Sequence, residues 1–241
     1  MEKLVKMGID YFEKEKKKVK FIEDEKANNL LINLKNYPHA YVLACLMDRM
    51  IKAERAWIIP YKINKILDTF DILKLSKIKP EKYVEIFNES KLHIYNNDMA
   101  NIFFNGIQDI IKKYNGNASE IWKGKPSSST VVYKFLEFKG CGIKIATMVT
   151  NILARDFKIT FSDYYSIDIS PDVHIMRVME RMGYVPKKAS KEMVIYKARD
   201  LNPEFPGIID FPCWEIGRNW CKPNNPDCNN CVVKLECKRV I

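Results

Sequence analysis

The last 21 residues of the 241-residue chain constrain its fold most, because they hold four of its seven cysteines. Six residues separate Cys221 from Cys228, two separate Cys228 from Cys231, and five separate Cys231 from Cys237. The segment is also rich in proline and asparagine, so it has too few apolar side chains to pack on its own. Because four thiolates this close in sequence can enclose a metal centre, we expect the segment to fold around one.

Two kinds of metal centre take four cysteines, a zinc ion and an iron–sulfur cluster. Zinc ribbons usually pair two Cys-x-x-Cys elements, whereas this chain has one, from Cys228 to Cys231. The pattern therefore favours an iron–sulfur cluster, with zinc as the alternative. Cys45, Cys141 and Cys213 are isolated in the sequence, and we expect them to be buried as small apolar residues.

Composition gives weaker indications. The chain has no run of 18 apolar residues, and its N-terminus is charged from Glu2 onward, so we expect neither a membrane span nor a secretory signal. We therefore expect a cytoplasmic, nucleoid-associated protein that does not bind membranes. The formal net charge of +10 favours a polyanionic partner such as nucleic acid. A general preference for lysine in the source genome is the alternative explanation of this charge.

Apolar residues recur with helical spacing along most of the chain, and strand-like alternation is scarce. Asn115-Gly116 ends one pattern as a C-terminal cap, and Gly183 closes another. The sequence therefore predicts an all-α fold without internal repeats. The predicted helices include Val42–Ile59, Asp98–Tyr114, Val131–Phe138, Ile143–Ala154 and one that Pro171-Asp172 opens and that runs through Met182.

Lys139-Gly140-Cys141-Gly142 interrupts the helical pattern between two apolar helices. Two glycines separated by one residue allow a tight hairpin, because glycine adopts backbone conformations that other residues avoid. Free amides in such a turn, together with the N-terminus of the following helix, can bind a phosphate oxygen. A Gly-x-Gly pair alone is usually just a turn, so a hairpin without a ligand is the alternative.

Asp172 stands at the start of the next helical pattern, Pro171–Val178, in the position of an N-terminal helix cap. Asp163 and Asp168 lie nearby in the sequence and could be confused with Asp172 in any role besides capping.

These features together resemble the endonuclease III family of helix-hairpin-helix DNA glycosylases. The cysteine spacing resembles the family's C-terminal loop around a 4Fe–4S cluster, and the hairpin resembles its Leu-Pro-Gly-Val-Gly-type turn. Residues 172–178 resemble the family's Asp-x-His-x-x-Arg-Val stretch, and Ile94–Asn97 and Gly217–Cys221 resemble two further family segments. The resemblance implies a 4Fe–4S cofactor with four ligands: Cys221, Cys228, Cys231 and Cys237.

The family's architecture implies two helical domains that flank a DNA cleft. Residues 31–156 would form a helical barrel that ends in the helix-hairpin-helix. Residues 1–30 together with 157–241 would form the domain that carries the cluster. The resemblance also implies that the DNA backbone contacts the hairpin and two basic side chains, namely Gly140, Gly142, Lys139 and Lys222.

Lys144 stands where bifunctional members of the family place a nucleophilic lysine. A neutral amine there can attack the sugar C1′ and form a Schiff base. Asp172 matches the family's catalytic aspartate, which stabilises the oxocarbenium-like sugar and helps to deprotonate the nucleophile. We expect His174 and Arg177 to be structural. The alternative for Lys144 is a solvated surface lysine.

The chain departs from the family at three places, one of which is an insertion around Lys123–Ser129 that lengthens the approach to the hairpin. Lys139 replaces a proline that is common in the hairpin. Asp48-Arg49-Met50 stands where endonuclease III has Ser-Ala-Gln, whose glutamine fills the gap left by the extruded base. We therefore expect Met50 or Arg49 to fill that gap in this chain.

The expected function is excision of a damaged base from double-stranded DNA by a monomeric glycosylase, with lyase activity at the abasic site. The resemblance to a hyperthermophile branch that removes uracil places uracil first. Oxidised bases such as 8-oxoguanine or thymine glycol come second, and alkylated purines third. Two alternatives stay open, a glycosylase that uses water as its nucleophile and a DNA-binding module without catalysis.

Overall fold

The computed structural model describes residues 2–14 and 19–240, while residues 1, 15–18 and 241 lie outside the description. Helices form all the regular structure of the described residues, which contain no strand, so the all-α prediction is confirmed. The α-helices described are α1 Lys3–Glu13, α2 Glu25–Ile32, α3 Pro38–Leu46, α4 Ala53–Trp57, α5 Ile59–Leu67, α6 Ile72–Ser76, α7 Pro80–Glu89, α8 Asn96–Tyr114, α9 Ser128–Leu136, α10 Ile143–Arg155, α11 Val173–Arg181, α12 Lys191–Leu201 and α13 Asp210–Asn219. Short 3₁₀ helices cover Ala118–Ile121 and Pro206–Ile209.

Within residues 2–14 and 19–240, no helix combines the length and the apolar character needed to cross a membrane.

Contacts between residues divide the chain into two compact units. The hairpin unit comprises Lys17–Gly124 and Tyr133–Ile145. The cysteine unit comprises Met1–Lys16, Lys125–Val132 and Ala146–Ile241. The sequence-based limits of 31–156 and of 1–30 with 157–241 stay a prediction.

The core of the hairpin unit is built around α3, in which every residue is buried. Helix α8 packs against α3, α6 and α7, and it buries Phe103 and Ile107 completely. Each such apolar side chain contributes about 1.5–3 kcal/mol when it leaves water. Helix α8 ends where predicted, because Asn115 and Gly116 adopt left-handed conformations and the Gly116 N–H donates to the Ile110 carbonyl at 3.0 Å.

The prediction of one helix over Val42–Ile59 is wrong. Helix α3 ends at Leu46, a loop covers residues 47–52, and α4 and α5 follow as separate helices. Met50 adopts a left-handed conformation with φ of +57°, which a helix cannot contain. The apolar spacing continues through the loop and so suggested an unbroken helix. Pro60, directly after the predicted segment, lies in the first turn of α5.

In the cysteine unit, α11 packs against α13, and α1 packs against α13 and the second 3₁₀ helix. Gly217 permits the close approach of α11 and α13, because a Cβ atom there would lie 2.6 Å from the His174 Cβ. The predicted helices over Ile143–Ala154 and after Asp172 correspond to α10 and α11. Residues 221–240 form turns and bends without an α-helix, as expected for a segment with little apolar content.

Candidate functional site

The four C-terminal cysteines line one pocket of the cysteine unit, which is partly open to solvent. All four are half-buried. Burial raises the pKa of Cys231, and the neighbouring thiols of Cys221, Cys237 and Cys228 raise it further. The structure therefore brings together the four side chains that the sequence identified as candidate metal ligands.

Two arginines of α11 hold the backbone where this cysteine segment begins. Arg177 Nε donates to the Cys221 carbonyl at 2.6 Å, and its guanidinium also donates to the Gly217 carbonyl at 3.0 Å. Arg181 donates to the carbonyls of Lys222 and Pro223 at 2.7 and 2.9 Å. Arg177 is thus structural, as predicted. Planar guanidinium groups suit this task because their N–H donors point in fixed directions.

The four pocket cysteines fit the expected cofactor in the chemistry of their side chains, because four thiols are the donor set of iron–sulfur clusters. They also line a single half-buried pocket. Among residues 2–14 and 19–240, no three or more His, Cys, Asp or Glu side chains form a group that could hold a metal ion, so the fit rests on the donor set and the shared pocket.

The candidate DNA-binding hairpin connects α9 to α10. Gly140 has φ of +85°, and a Cβ atom there would lie 2.7 Å from the Ile102 Cδ1, so this position requires glycine. The Cys141 N–H donates to the Phe138 carbonyl at 3.0 Å and closes the turn. Gly142 differs from Gly140, because its φ is not positive and a Cβ atom there would meet no atom within 4 Å. The protein itself therefore does not require glycine at residue 142.

Lys144 lies in the first turn of α10 and is exposed, as is Lys139 in the turn before it. The hairpin thus groups four candidate residues on one short segment, namely Lys139, Gly140, Gly142 and Lys144. Lys222 belongs to the cysteine unit, where it is exposed next to the first cysteine.

Asp172 caps α11, as predicted. Its side chain accepts hydrogen bonds from the N–H groups of His174 and Ile175 at 2.8 and 2.9 Å, and it stays partly exposed. Asp168 and Asp163, the two other aspartates nearby in the sequence, interact with other side chains. Asp168 forms an ion pair with Arg199 at 2.8 Å, and Asp163 accepts from the Ser128 hydroxyl.

A second carboxylate, Asp210, lies beside Asp172 within the cysteine unit. It accepts a hydrogen bond of 2.6 Å from the Ser170 N–H, two residues before Asp172. Burial raises the pKa of Asp210 to about 6, and the negative charge of Asp172 acts in the same direction, while Arg155 opposes the rise. Sequence reasoning missed Asp210. Its one signal is a lone charged residue within the apolar run Phe205–Trp214.

The loop between α3 and α4 exposes 79% of the Met50 side chain, next to exposed Arg49. The buried imidazole of His93 bonds the Arg49 carbonyl through Nε2 at 2.9 Å. The sequence did not single out His93, which precedes the Ile94–Asn97 segment.

The remaining cysteines are buried, as predicted. Burial raises the pKa of Cys141 to about 12 and raises those of Cys45 and Cys213 well above the ordinary thiol value. They have the character of small apolar residues.

Comparison with known proteins identifies similarity to endonuclease III. No protein-family model matches the chain. Endonuclease III of Thermotoga maritima is 27% identical over 165 residues, which cover 68% of this chain and 67% of that protein. A trapped covalent endonuclease III–DNA intermediate aligns with a TM-score of 0.60 at 18% identity, covering 98% of this chain and 92% of that chain. A non-covalent endonuclease III–DNA complex gives the same TM-score at 16% identity and covers 89% and 92%.

At these low identities the two structures show a shared fold, and the sequence match adds a relationship to endonuclease III itself. The chain therefore has the endonuclease III fold and resembles endonuclease III in sequence over 68% of its length.

Proposed function

We propose that this protein is a DNA glycosylase that removes a damaged base from double-stranded DNA and cleaves the abasic site through Lys144. The observation that carries the proposal is the position of Lys144, exposed in the first turn of α10 directly after the Gly140–Gly142 turn. The fold shared with endonuclease III–DNA complexes, one of them a trapped covalent intermediate, supports it.

The DNA backbone binds to the hairpin and to two basic side chains, Lys139 within the hairpin turn and Lys222 next to Cys221. The space where a Cβ atom of residue 142 would stand is open, so no side chain at this position blocks the approach of a phosphate oxygen to the start of α10. Lys139 and Lys222 add positive charge that phosphates attract. Met50, with Arg49 beside it, fills the gap in the duplex after base extrusion, because it is a large apolar side chain exposed at a loop.

In the chemical step, the Lys144 amine attacks the sugar C1′ while the bond from C1′ to the base breaks. The base leaves with the bonding electron pair and is protonated, and the amine gives up one proton. The sugar C1′–O4′ bond then breaks as the C=N bond of the protonated Schiff base forms, and O4′ takes up a proton. Loss of a C2′ proton from this Schiff base expels the 3′-phosphate and breaks the strand. Asp172 stabilises the positive charge that develops on the sugar.

The pocket cysteines Cys221, Cys228, Cys231 and Cys237 would hold a 4Fe–4S cluster. Through these four bonds residues 221–237 would be cross-linked, and the cluster would supply no chemistry to base excision. Arg177 and Arg181 of α11 donate hydrogen bonds to the backbone of this segment. An ordered segment therefore also stabilises the helix that Asp172 caps.

Uracil is the first candidate base, since a base in a G·U mismatch is easier to extrude than a fully paired one. Oxidised bases such as thymine glycol or 8-oxoguanine are second, and alkylated purines are third. Competing duplex oligonucleotides that carry each lesion test this order. Efficient cutting of thymine glycol with uracil left intact would reverse it.

Two alternatives make different predictions in the same assay. A glycosylase that uses water would release the base without nicking the strand, with Lys144 serving only as a phosphate contact. A non-catalytic module would bind the DNA without releasing any base. The presence of both Lys144 and Asp172 favours the catalytic proposal.

A further inference from the structure

His93 lies in the segment between α7 and α8 with only 2% of its surface exposed. Its Nδ1 atom accepts a hydrogen bond of 3.0 Å from the Tyr95 N–H, and its Nε2 atom lies 2.9 Å from the Arg49 carbonyl oxygen. A backbone N–H can only donate and a carbonyl can only accept. These partners therefore fix His93 as the neutral tautomer with its proton on Nε2.

The carbonyl that His93 binds belongs to the residue before Met50. The Arg49 N–H in turn donates to the Met47 carbonyl at 2.8 Å, which makes the turn tight. Met50 then adopts φ of +57°, a conformation that side-chain-bearing residues seldom adopt unless their surroundings hold them there. This backbone conformation leaves the Met50 side chain 79% exposed.

We propose that His93 is a positioning residue for base extrusion, because it holds the Arg49 carbonyl so that Met50 stands ready to enter the gap in the duplex. This inference rests on the gap-filling role proposed above for Met50. The bond between His93 and Arg49 spans 44 residues of sequence within the hairpin unit. It joins the segment before α8 to the loop that carries Met50.

His39 provides a matched control in the same unit. It is 3% exposed, its Nε2 atom lies 2.8 Å from the Phe70 carbonyl, and its ring stacks on the Phe70 ring. Replacing His39 also removes a buried imidazole and its bond to a carbonyl, but it leaves the Arg49 bond intact. A loss of fold stability alone would therefore affect both histidine variants.

The experiment compares the affinity for a duplex with a stable abasic analogue opposite guanine and the affinity for an undamaged duplex. It uses full-length wild type, Met50→Ala, His93→Ala, His93→Gln and His39→Ala, at a temperature where circular dichroism shows each one folded. Binding to the analogue needs no catalysis, so the result does not depend on glycosylase activity.

We expect Met50→Ala and His93→Ala each to weaken binding to the abasic duplex about tenfold more than binding to the undamaged duplex. His93→Gln keeps an N–H donor for the Arg49 carbonyl and should recover part of the preference. His39→Ala should keep the wild-type preference. Nitrogen NMR of the imidazoles should show the His93 proton on Nε2.

The outcomes distinguish the inference about His93 from the proposed gap-filling role of Met50. If Met50→Ala lowers the preference and His93→Ala does not, the inference about His93 is wrong and the role of Met50 stands. If Met50→Ala has no effect, the proposed gap-filling role fails, and the inference fails with it. A His93 proton on Nδ1 would overturn the inference without touching the role of Met50.

Discussion

Arg177 Nε donates to the carbonyl oxygen of Cys221 at 2.6 Å, so the helix capped by Asp172 is bonded to the first of the four pocket cysteines. The same guanidinium also bonds Gly217 and the His174 Nδ1 atom. Because one planar group satisfies all of these acceptors, α11, the end of α13 and the start of the cysteine segment are held in one arrangement.

Replacing Arg177 by lysine should destabilise the cysteine unit. A lysine ammonium cannot reproduce the fork of donors, so at least one partly buried carbonyl loses its partner, at a cost of about 1–3 kcal/mol. Urea unfolding followed by circular dichroism measures the loss. Arg218→Lys is the control, because Arg218 is exposed and stacks on Trp214. Equal stability of the two variants would contradict this account of Arg177.

The cysteine pocket predicts a brown protein when purification is anaerobic, with about four irons and four sulfides per chain. Cys228→Ser should lose iron and destabilise residues 221–237, since they contain little apolar core. Cys213→Ala should keep its iron, because Cys213 is buried outside the pocket. Colourless protein with one stoichiometric zinc would show that the zinc alternative is correct.

The two hairpin glycines should respond differently to substitution. Gly140→Val forces a side chain into a left-handed conformation against Ile102 and should lower the free energy of unfolding by about 1–3 kcal/mol. Gly142→Val meets no such obstacle, so it should change stability little. It should nevertheless weaken binding to undamaged duplex about tenfold on every sequence, because the new side chain covers the phosphate-binding amides.

Salt dependence provides the check on this electrostatic interpretation of DNA binding. Wild-type affinity should fall steeply between about 50 and about 200 mM salt, as counterions are released from the DNA on binding. An affinity that stays flat over this range would contradict it.

Asp210 should make stability depend on pH. Its folded pKa of about 6 lies above the ordinary aspartate value of about 3.9, so the folded protein binds the proton more tightly than the unfolded chain. The contribution of Asp210 to stability therefore falls as the pH rises from about 4 to about 6. Asp210→Asn keeps an oxygen for the Ser170 N–H and removes the charge. Relative to that of wild type, the free energy of unfolding of the variant should rise by about 2 kcal/mol as the pH rises over that range.

Urea unfolding of wild type and Asp210→Asn at several pH values measures this difference directly. Subtracting the two curves removes the contributions of all other titrating groups. A difference that stays constant with pH would mean that the Asp210 carboxyl titrates normally.

The sequence predicted the features that depend on local patterns. Four closely spaced cysteines predicted a shared pocket, and Asn115-Gly116 predicted the end of α8. Asp172 was predicted as the cap of α11 from its position before an amphipathic segment. In each case neighbouring residues determine the structure, so the pattern is sufficient.

Features that depend on contacts between distant residues were not predictable from the pattern. The loop at Met50 interrupts a continuous apolar spacing, and it is held by His93, 44 residues away. Asp210 matters because folding places it beside Ser170 and Asp172, which are about 40 residues earlier in the chain. Neither His93 nor Asp210 belongs to a sequence motif.

Borohydride trapping on DNA that contains an abasic site tests the central claim most directly, since only a Schiff base between protein and sugar can be reduced to a stable link. We expect wild type to form the covalent complex and Lys144→Ala to form none. Asp172→Asn should bind the DNA normally but release a damaged base about 100-fold more slowly, or slower still. Wild-type protein that releases the base yet never becomes trapped would show that Lys144 is not the nucleophile.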